Sequence, residues 1–171
     1  QRSPLLLKIM KIAASLARTR SELGAVTILV NNAGMTGFVP FLDISEEAWD
    51  RMIAVNLTGP FNVAAAALPF LRAASSATIV HIASVSAIMP MPGTSGYSAS
   101  KAGLTMYTKC LAMDLGPHIR ANAICPGFVA TEMTRHLWED PEHKQRAAEH
   151  APEHRRAQRL PQLGAGTRRP H

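Results

Sequence analysis

Val26-Thr27-Ile28-Leu29-Val30 is a short run of apolar and β-branched residues that leads directly into Asn31-Asn32-Ala33-Gly34. Two further runs of this kind follow, from Thr78 to Ile82 and from Ile119 to Ile124. Runs of this length and composition predict β-strands. Long stretches rich in alanine and leucine separate them and predict helices. The resulting order of strand, helix, strand, helix, strand predicts an α/β fold with a parallel sheet and right-handed crossovers.

Small or polar residues follow each predicted strand. The first strand leads into Asn32-Ala33-Gly34, the second into Ala83-Ser84 and the third into Pro126-Gly127. Open parallel sheets bind ligands beyond the carboxyl ends of their strands, and small residues let a flat ligand approach the backbone. We therefore expect the functional site at this edge of the sheet.

The predicted helices cover residues 4–23, 45–74, 95–116 and 131–150. Ser45 is a good N-cap for the second helix, because its hydroxyl can accept from a backbone N–H of the first turn. Asn56 and the Gly59-Pro60 pair should kink that helix before it resumes from Phe61 to Ala74. Gly116-Pro117 should end the third helix.

Tyr97 and Lys101 lie four residues apart on the third predicted helix, and Ser84 lies thirteen residues before Tyr97. Four residues are about one helical turn, so the phenol and the ammonium share a face. A serine at the end of a strand can meet both groups. The lone Tyr-x-x-x-Lys pattern is unspecific and also occurs on surface helices, but the strand ends around it favour proton transfer to a carbonyl.

The net charge of +6 is concentrated near the C-terminus. Residues 144–171 hold seven Lys or Arg and two Glu, whereas residues 1–143 are almost neutral. Residues 151–171 are rich in Arg and Pro and have few large apolar side chains, so we expect a basic, disordered tail after a domain over 1–150. A basic tail without a groove-reading or aromatic element predicts no specific nucleic-acid binding.

The cysteines and histidines predict neither a disulfide framework nor a metal site. The two cysteines, Cys110 and Cys125, are too few for a disulfide framework, and their spacing is not that of a zinc site. His150 and His154 have helical spacing, but Pro152 lies between them, and no cysteine accompanies them. The candidate metal ligands among the histidines are His136, His143, His150 and His154.

The start of the chain does not resemble a signal peptide, because Lys8 and Lys11 interrupt its apolar run. No stretch approaches the length of a membrane-spanning helix. We therefore expect a cytoplasmic protein without a membrane partner.

From about Ala25 to Met133 the sequence resembles the short-chain dehydrogenase/reductase family. The matching residues, in family order, are Asn31-Asn32-Ala33-Gly34, Asn56 in Val-Asn-Leu-Thr-Gly, Ser84, Tyr97-Ser98-Ala99-Ser100-Lys101, and Pro126-Gly127 with Thr131 downstream. Several motifs in register are more specific than any one alone. The resemblance implies a Rossmann-type doubly wound sheet, here partial, and an NAD or NADP cofactor.

The resemblance also implies catalytic roles. Tyr97 would be the general acid in reduction and the general base in oxidation. An isolated phenol keeps its proton to about pH 10, so a neighbouring cation is needed to favour phenolate. Lys101 would supply that charge and hold the nicotinamide ribose hydroxyls. Ser84 would donate to the substrate oxygen, and Asn56 would hold a water that links the lysine to solvent.

Other residues would hold the cofactor by resemblance. Asn32, Ala33 and Gly34 would lie on its ribose side. The backbone from Pro126 through Gly127 to Val129, with the Thr131 hydroxyl, would hold the carboxamide.

Simpler interpretations remain for three of these residues. Asn56 could be a kinking residue bonded to backbone. Ser84 could cap the strand end, and Thr131 could cap a following helix.

Both ends depart from the family pattern. No Gly-x-x-x-Gly-x-Gly precedes Val26, where the family has a glycine-rich turn for the cofactor pyrophosphate. The chain also lacks an initial methionine and the family's final helix and strand. We therefore expect a chain truncated at its N-terminus and divergent at its C-terminus. A shifted reading frame would give such an Arg-, Pro- and His-rich ending, and neighbouring DNA without a family-like ending in another frame would refute that hypothesis.

Three functions follow from these features. The leading one is an NAD(P)-dependent oxidoreductase acting on a small carbonyl or alcohol, with the missing glycine-rich segment counting against independent activity. The second is a non-catalytic remnant or partner-binding module that joins subunits through its two long helices. The third is a nucleic-acid binder through the basic tail. The substrate, the choice of cofactor and the oligomeric state stay open, a homo-oligomer included.

Overall fold

The computed structural model describes residues 4–127 together with Val129 and Thr131. Within them the chain is α/β, as the sequence predicts. Four helices flank a sheet of three strands. The helices are α1 (Pro4–Leu23), α2 (Glu46–Ile53), α3 (Gly59–Arg72) and α4 (Ser95–Leu115), and the strands are β1 (Ile28–Asn31), β2 (Ala77–Ile82) and β3 (Ile119–Ile124).

The three strands are parallel and lie in the order β1-β2-β3. Ile28 is level with Thr78, and Ala77 is level with Ile119. The carboxyl ends of all three strands therefore meet at one edge. The first strand begins two residues later than the run at Val26 suggests and includes Asn31, because pairing with β2 and not composition sets its limits.

One face of the sheet carries the hydrophobic core. Leu29, Ile79 and Ile119 point to the same side, one from each strand, and are buried. α3 covers them with Ala64, Ala67 and Leu71, whose small side chains allow the helix to lie close to the sheet. Partly buried side chains of α1 and α4 complete this layer, among them Leu16, Leu111, Ala112 and Leu115.

The other face of β1 is exposed among the described residues. Ile28 is 64 % exposed and Val30 is 54 % exposed. Alternating burial along β1 thus leaves an apolar sheet surface on the side away from α3.

The segment around Asn56 corrects the predicted kink. Ala54–Thr58 forms a π-turn that joins α2 to α3 without an interruption. Pro60 falls in the first turn of α3, where an N–H is not needed for helical bonding, so it does not break the helix. The predicted cap at Ser45 is present, since its Oγ accepts from the Ala48 N–H at 3.1 Å.

Because α2 and α3 are continuous, the expectation that no stretch approaches the length of a membrane-spanning helix is wrong. The helical stretch Glu46–Arg72 has 27 residues and a mean hydropathy of 1.3, so by length and composition it could cross a membrane. One such helix is weak evidence, because a core helix passes the same test. The α3 part of it packs against the sheet through its buried alanines.

Some sequence-based expectations concern residues outside the described part of the chain. These are the helix over 131–150, the domain boundary near residue 150, the basic tail and the four histidines from His136 to His154. They remain predictions.

Candidate active site

Helix α4 places Tyr97 and Lys101 on one face at the carboxyl edge of the sheet. The Lys101 Nζ lies 5.8 Å from the centre of the Tyr97 ring, within range of a cation–π interaction. Tyr97 is half-buried, whereas Lys101 is 4 % exposed. One turn of helix thus holds an ammonium beside a phenol that a ligand can reach.

The Lys101 ammonium is anchored to the end of β2. Its Nζ donates to the Ile82 backbone oxygen at 2.8 Å. Burial lowers the pKa of Lys101 below its ordinary value, and the negative charge of the Cys125 thiolate form opposes this effect. An ammonium has three donors, so two remain for other partners.

Asn56 is completely buried in the π-turn and connects three segments. Its Oδ1 accepts from the Met35 N–H at 2.8 Å, and its Nδ2 donates to the Met35 oxygen at 2.9 Å. Nδ2 also lies 3.0 Å from Ser100 Oγ and 3.1 Å from Met52 Sδ. The side chain therefore ties the loop after β1 to α4.

The backbone carbonyl of Asn56 lacks the ordinary α-helical donor. That donor would be the N–H four residues on, but residue 60 is proline. The proline therefore leaves this carbonyl, within the π-turn, without the ordinary α-helical bond. π-turns of this kind are frequent at functional sites.

Gly34 lies close to both Lys101 and Asn56. A Cβ on Gly34 would lie 3.2 Å from Lys101 Nζ and 3.3 Å from Asn56 Oδ1. The distances show that the loop after β1, the π-turn and α4 meet at one point. They also show that any side chain at residue 34 would occupy space above the ammonium.

Ser84 lies at the end of β2 and is 8 % exposed. Its Oγ accepts from the Ser86 N–H at 3.1 Å and caps a short 3₁₀ turn over Val85–Ala87. The capping role inferred from the sequence is therefore present. It uses an acceptor lone pair of the hydroxyl, so capping and donation to a ligand are compatible.

The remaining cofactor candidates differ in exposure. Asn32 and Ala33 are exposed beyond β1, and Gly34 is half-buried. The Pro126 oxygen accepts from the Val85 N–H at 2.9 Å, which fixes the turn after β3 beside the 3₁₀ turn. Gly127 is half-buried, and both Val129 and Thr131 are exposed.

Ser100 is a site residue to which the sequence analysis assigned no role. It is fully buried, accepts from Asn56 and donates to the Tyr97 oxygen at 2.7 Å. A serine in a helix can donate to a backbone oxygen three or four residues earlier, so the sequence alone could have suggested the bond from Ser100 to Tyr97. Its link to Asn56 spans 44 residues and is visible only in the fold.

The arrangement is suited to proton transfer at a substrate oxygen. A reachable phenol, a nearby ammonium and a serine hydroxyl lie at one edge of the sheet. Within the described residues, no group of three His, Cys, Asp or Glu side chains could hold a metal ion.

Comparison with known sequences gives a consistent result. Residues 7–142 match the sequence model of the short chain dehydrogenases. The chain is 44 % identical over 115 residues to 3-oxoacyl-(acyl-carrier-protein) reductase FabG of Thermotoga maritima, covering 67 % of this chain and 47 % of that protein. It is 38 % identical over 135 residues to 2-(R)-hydroxypropyl-CoM dehydrogenase of Xanthobacter autotrophicus, covering 77 % and 54 %. The chain thus spans about half the length of these relatives.

Solved structures show the same likeness. A gluconate 5-dehydrogenase from Burkholderia cenocepacia, in complex with NADP and tartrate, matches with a TM-score of 0.76 at 32 % identity. The match covers 81 % of this chain and 55 % of that one. Aldohexose dehydrogenase of Thermoplasma acidophilum matches with a TM-score of 0.74 at 31 % identity, covering 81 % and 56 %.

Proposed function

This chain belongs to the short-chain dehydrogenase family, and on that premise we propose that it is an NAD- or NADP-dependent oxidoreductase that interconverts a carbonyl and a secondary alcohol. The observation that carries the proposal is the buried Lys101 ammonium 5.8 Å from the Tyr97 ring at the carboxyl edge of the sheet. The relatives named above are reductases or dehydrogenases, which supports this reaction class.

The residues present fit a nicotinamide cofactor. Gly34 leaves open the space above Lys101 Nζ that a Cβ would fill. Asn32 and Ala33 are exposed next to it, so the ribose side of a nucleotide can lie against this backbone. Lys101 would donate one of its two remaining N–H groups to a ribose hydroxyl. When bound, the nicotinamide would supply or take up the hydride.

Tyr97 would move the proton. During reduction its O–H donates to the oxygen that gains negative charge, and during oxidation its phenolate accepts the alcohol proton. The Lys101 ammonium lies beside this phenol, with its Nζ 5.8 Å from the ring centre. Ser84 would donate a second hydrogen bond to the same oxygen and stabilise the developing charge.

Asn56 would act through its backbone. Its side chain is committed to Met35 and Ser100, so a water that links Lys101 to solvent would bond to the Asn56 carbonyl. The absence of an N–H at Pro60 supports this assignment.

The substrate we propose is a small molecule with an apolar part. The loop after Ser84 exposes Ile88 (54 %) and Met89 (49 %) near the site. A ketone, a sugar derivative or an acyl thioester would fit this character. The names of the relatives include a 3-oxoacyl-(acyl-carrier-protein) reductase, a gluconate 5-dehydrogenase and an aldohexose dehydrogenase, which supports the same range.

Cofactor titration tests the proposal. Fluorescence with NAD and NADP should show binding that Lys101→Met weakens at least tenfold. Lys109→Met is the matched control, because Lys109 lies two turns further along α4 and should change affinity less than twofold. Absence of binding at millimolar concentrations of both cofactors would remove an independent oxidoreductase function for this chain.

A second function, a partner-binding module, has one specific observation in its favour. α4 exposes Met106 (58 %), Cys110 and Met113 (71 %) at i, i+4 and i+7, and the neighbouring helix exposes Phe61 (41 %). Such an apolar stripe on two long helices fits a second copy or a related subunit. Met106→Glu should lower the mass measured by light scattering if this surface joins subunits. A monomeric mass for both the wild type and Met106→Glu would exclude that role of the surface.

We also propose a soluble, cytoplasmic protein that binds no specific nucleic acid. The near-neutral body and the packing of α3 on the sheet support this. Salt-dependent DNA binding that disappears on deletion of residues 152–171 would instead favour nucleic-acid binding through the basic tail.

A further inference from the structure

His81 is a buried histidine in β2 that the proposed chemistry does not use. It is completely buried, and its ring stacks on Tyr107 with 5.6 Å between the ring centres. Its Nδ1 lies 2.8 Å from Thr108 Oγ1 on α4. Its Nε2 is buried and has no hydrogen-bond partner among the described residues. A buried polar ring with one used and one unused nitrogen needs an explanation.

The hydrogen bonds of Thr108 decide which nitrogen carries the proton. Thr108 Oγ1 lies 2.7 Å from the Leu104 oxygen, and a carbonyl only accepts, so the threonine hydrogen points there. Thr108 must then accept from His81, which requires a hydrogen on Nδ1. In the neutral ring the second nitrogen, Nε2, is therefore a bare acceptor.

The neighbouring strand carries a second buried polar side chain, level with His81. Asn31 pairs with His81 across β1 and β2, and its side chain is also buried. Its Nδ2 has no partner in the described structure. Asn62 of α3 likewise has a buried Oδ1 without a partner among the described residues.

The His81–Thr108 bond has a counterpart one residue further along β2. The Ile82 oxygen accepts from Lys101 Nζ. Lys101 and Thr108 are seven residues apart on α4, which is about two helical turns and one shared face. Two neighbouring residues of β2 thus fix two points of α4, and one of these points is the lysine of the candidate site.

We infer that His81 is a positioning residue. As the neutral Nδ1–H tautomer it clamps α4 to β2 through Thr108 and so holds Lys101 against the Ile82 carbonyl. The functional importance of this clamp rests on the proposed function, because it acts through Lys101. The tautomer and the clamp themselves do not depend on that proposal.

The surrounding charges agree with a neutral ring. Burial, together with a smaller effect of the nearby Lys101 ammonium, lowers the pKa of His81 from 6.5 to about 4. Tyr107, which stacks on the ring, is a second titratable neighbour, and burial raises the pKa of its phenol. Asn31 and Asn62 carry no charge. A protonated His81 would therefore face a cation with no anion among these neighbours.

Nitrogen-15 NMR of the full chain tests the tautomer without any cofactor. At about pH 7 the His81 signals, assigned by their loss in His81→Asn, should show a protonated Nδ1 and a bare Nε2. Thr108→Val should shift the proton towards Nε2, whereas Thr108→Ser should keep the wild-type pattern. Thr105→Val is the matched control, since Thr105 bonds back to Lys101 O and should leave the ring unchanged. A wild-type ring protonated on Nε2, or no shift in Thr108→Val, would overturn the inference.

Amine labelling followed by mass spectrometry tests the clamp. Lys101 should be protected relative to exposed Lys8, and Thr108→Val should raise its labelling rate roughly two- to tenfold, as expected for the loss of one net hydrogen bond. Thr108→Ser should restore protection. Unchanged protection in Thr108→Val would refute the positioning role. Failure of NAD and NADP binding by the wild type would instead refute only the proposed oxidoreductase function.

Discussion

The Nζ of Lys101 lies 5.8 Å from the centre of the Tyr97 ring while it donates to the Ile82 oxygen at 2.8 Å. The ammonium thus interacts both with the Tyr97 ring and with the backbone at the end of β2. Burial makes its charge costly, and the Ile82 carbonyl offsets part of that cost.

Removal of the Tyr97 hydroxyl should abolish chemistry while leaving the fold intact. In a preparation that turns over a carbonyl substrate, Tyr97→Phe should lower kcat at least about 10²-fold, the usual contribution of a general acid. Cofactor affinity should change little. Tyr107→Phe is the matched control on the same helix and should retain activity within about threefold. Equal loss in both variants would show that the effect is structural.

Loss of the Asn56 side chain should destabilise the protein strongly. Asn56→Ala leaves the buried groups around Met35 without partners, so the free energy of unfolding should fall by about 2–4 kcal/mol in urea. Asn62→Ala provides the comparison, because the Asn62 Oδ1 has no hydrogen-bond partner to lose in the part of the chain that the structure describes. A loss in Asn62→Ala as large as that in Asn56→Ala would contradict the assigned importance of the network.

A methyl group at residue 34 should disturb the site. In Gly34→Ala the new Cβ would lie 3.2 Å from Lys101 Nζ and 3.3 Å from Asn56 Oδ1, and both groups are held by hydrogen bonds. We expect a stability loss of about 1 kcal/mol and a cofactor affinity at least tenfold weaker. Gly37→Ala should be nearly neutral, because its Cβ would meet only the flexible Met52 Cε at 3.6 Å. Tight cofactor binding by Gly34→Ala would argue against the placement of the ribose at this backbone.

His81 should make the fold sensitive to acid. Its pKa is about 4 in the folded chain against 6.5 ordinarily, so between these values the unfolded state binds the extra proton. Stability is therefore complete above about pH 6.5 and falls as the pH drops towards 4, by up to the order of 3 kcal/mol from this residue. The measurement is urea unfolding across this range for wild type and His81→Asn. The difference between the two proteins should shrink as the pH falls, and a constant difference would contradict the lowered pKa.

Much of the fold could be predicted because local patterns and the tertiary structure agree. The runs before Asn31, Ala83 and Cys125 are strands, and Ser45 caps its helix as its position suggests. The limits of β1 and the course of the chain at Asn56 could not be predicted. Strand pairing decides the first, and a π-turn, which has no reliable local signal, decides the second.

The candidate site divides in the same way. Helix spacing alone places Tyr97 and Lys101 on one face, and the strand ends indicate where they face. The bonds of Asn56 to Met35 and Ser100 link residues 21 and 44 positions apart, so no local pattern reports them. The role of Ser100 was missed for this reason.

The sequence by itself determined the α/β order and the pair of residues suited to proton transfer, because these depend on periodicity and on spacing within one element. It also indicated the family, through the resemblance of several motifs in order along the chain. Only the tertiary structure decided that Lys101 is buried and bound to Ile82, and that His81 and Thr108 join β2 to α4. Burial and long-range hydrogen bonds depend on which elements pack together. That packing sets the charge state and the position of the lysine, and so decides what the Tyr97–Lys101 pair can do.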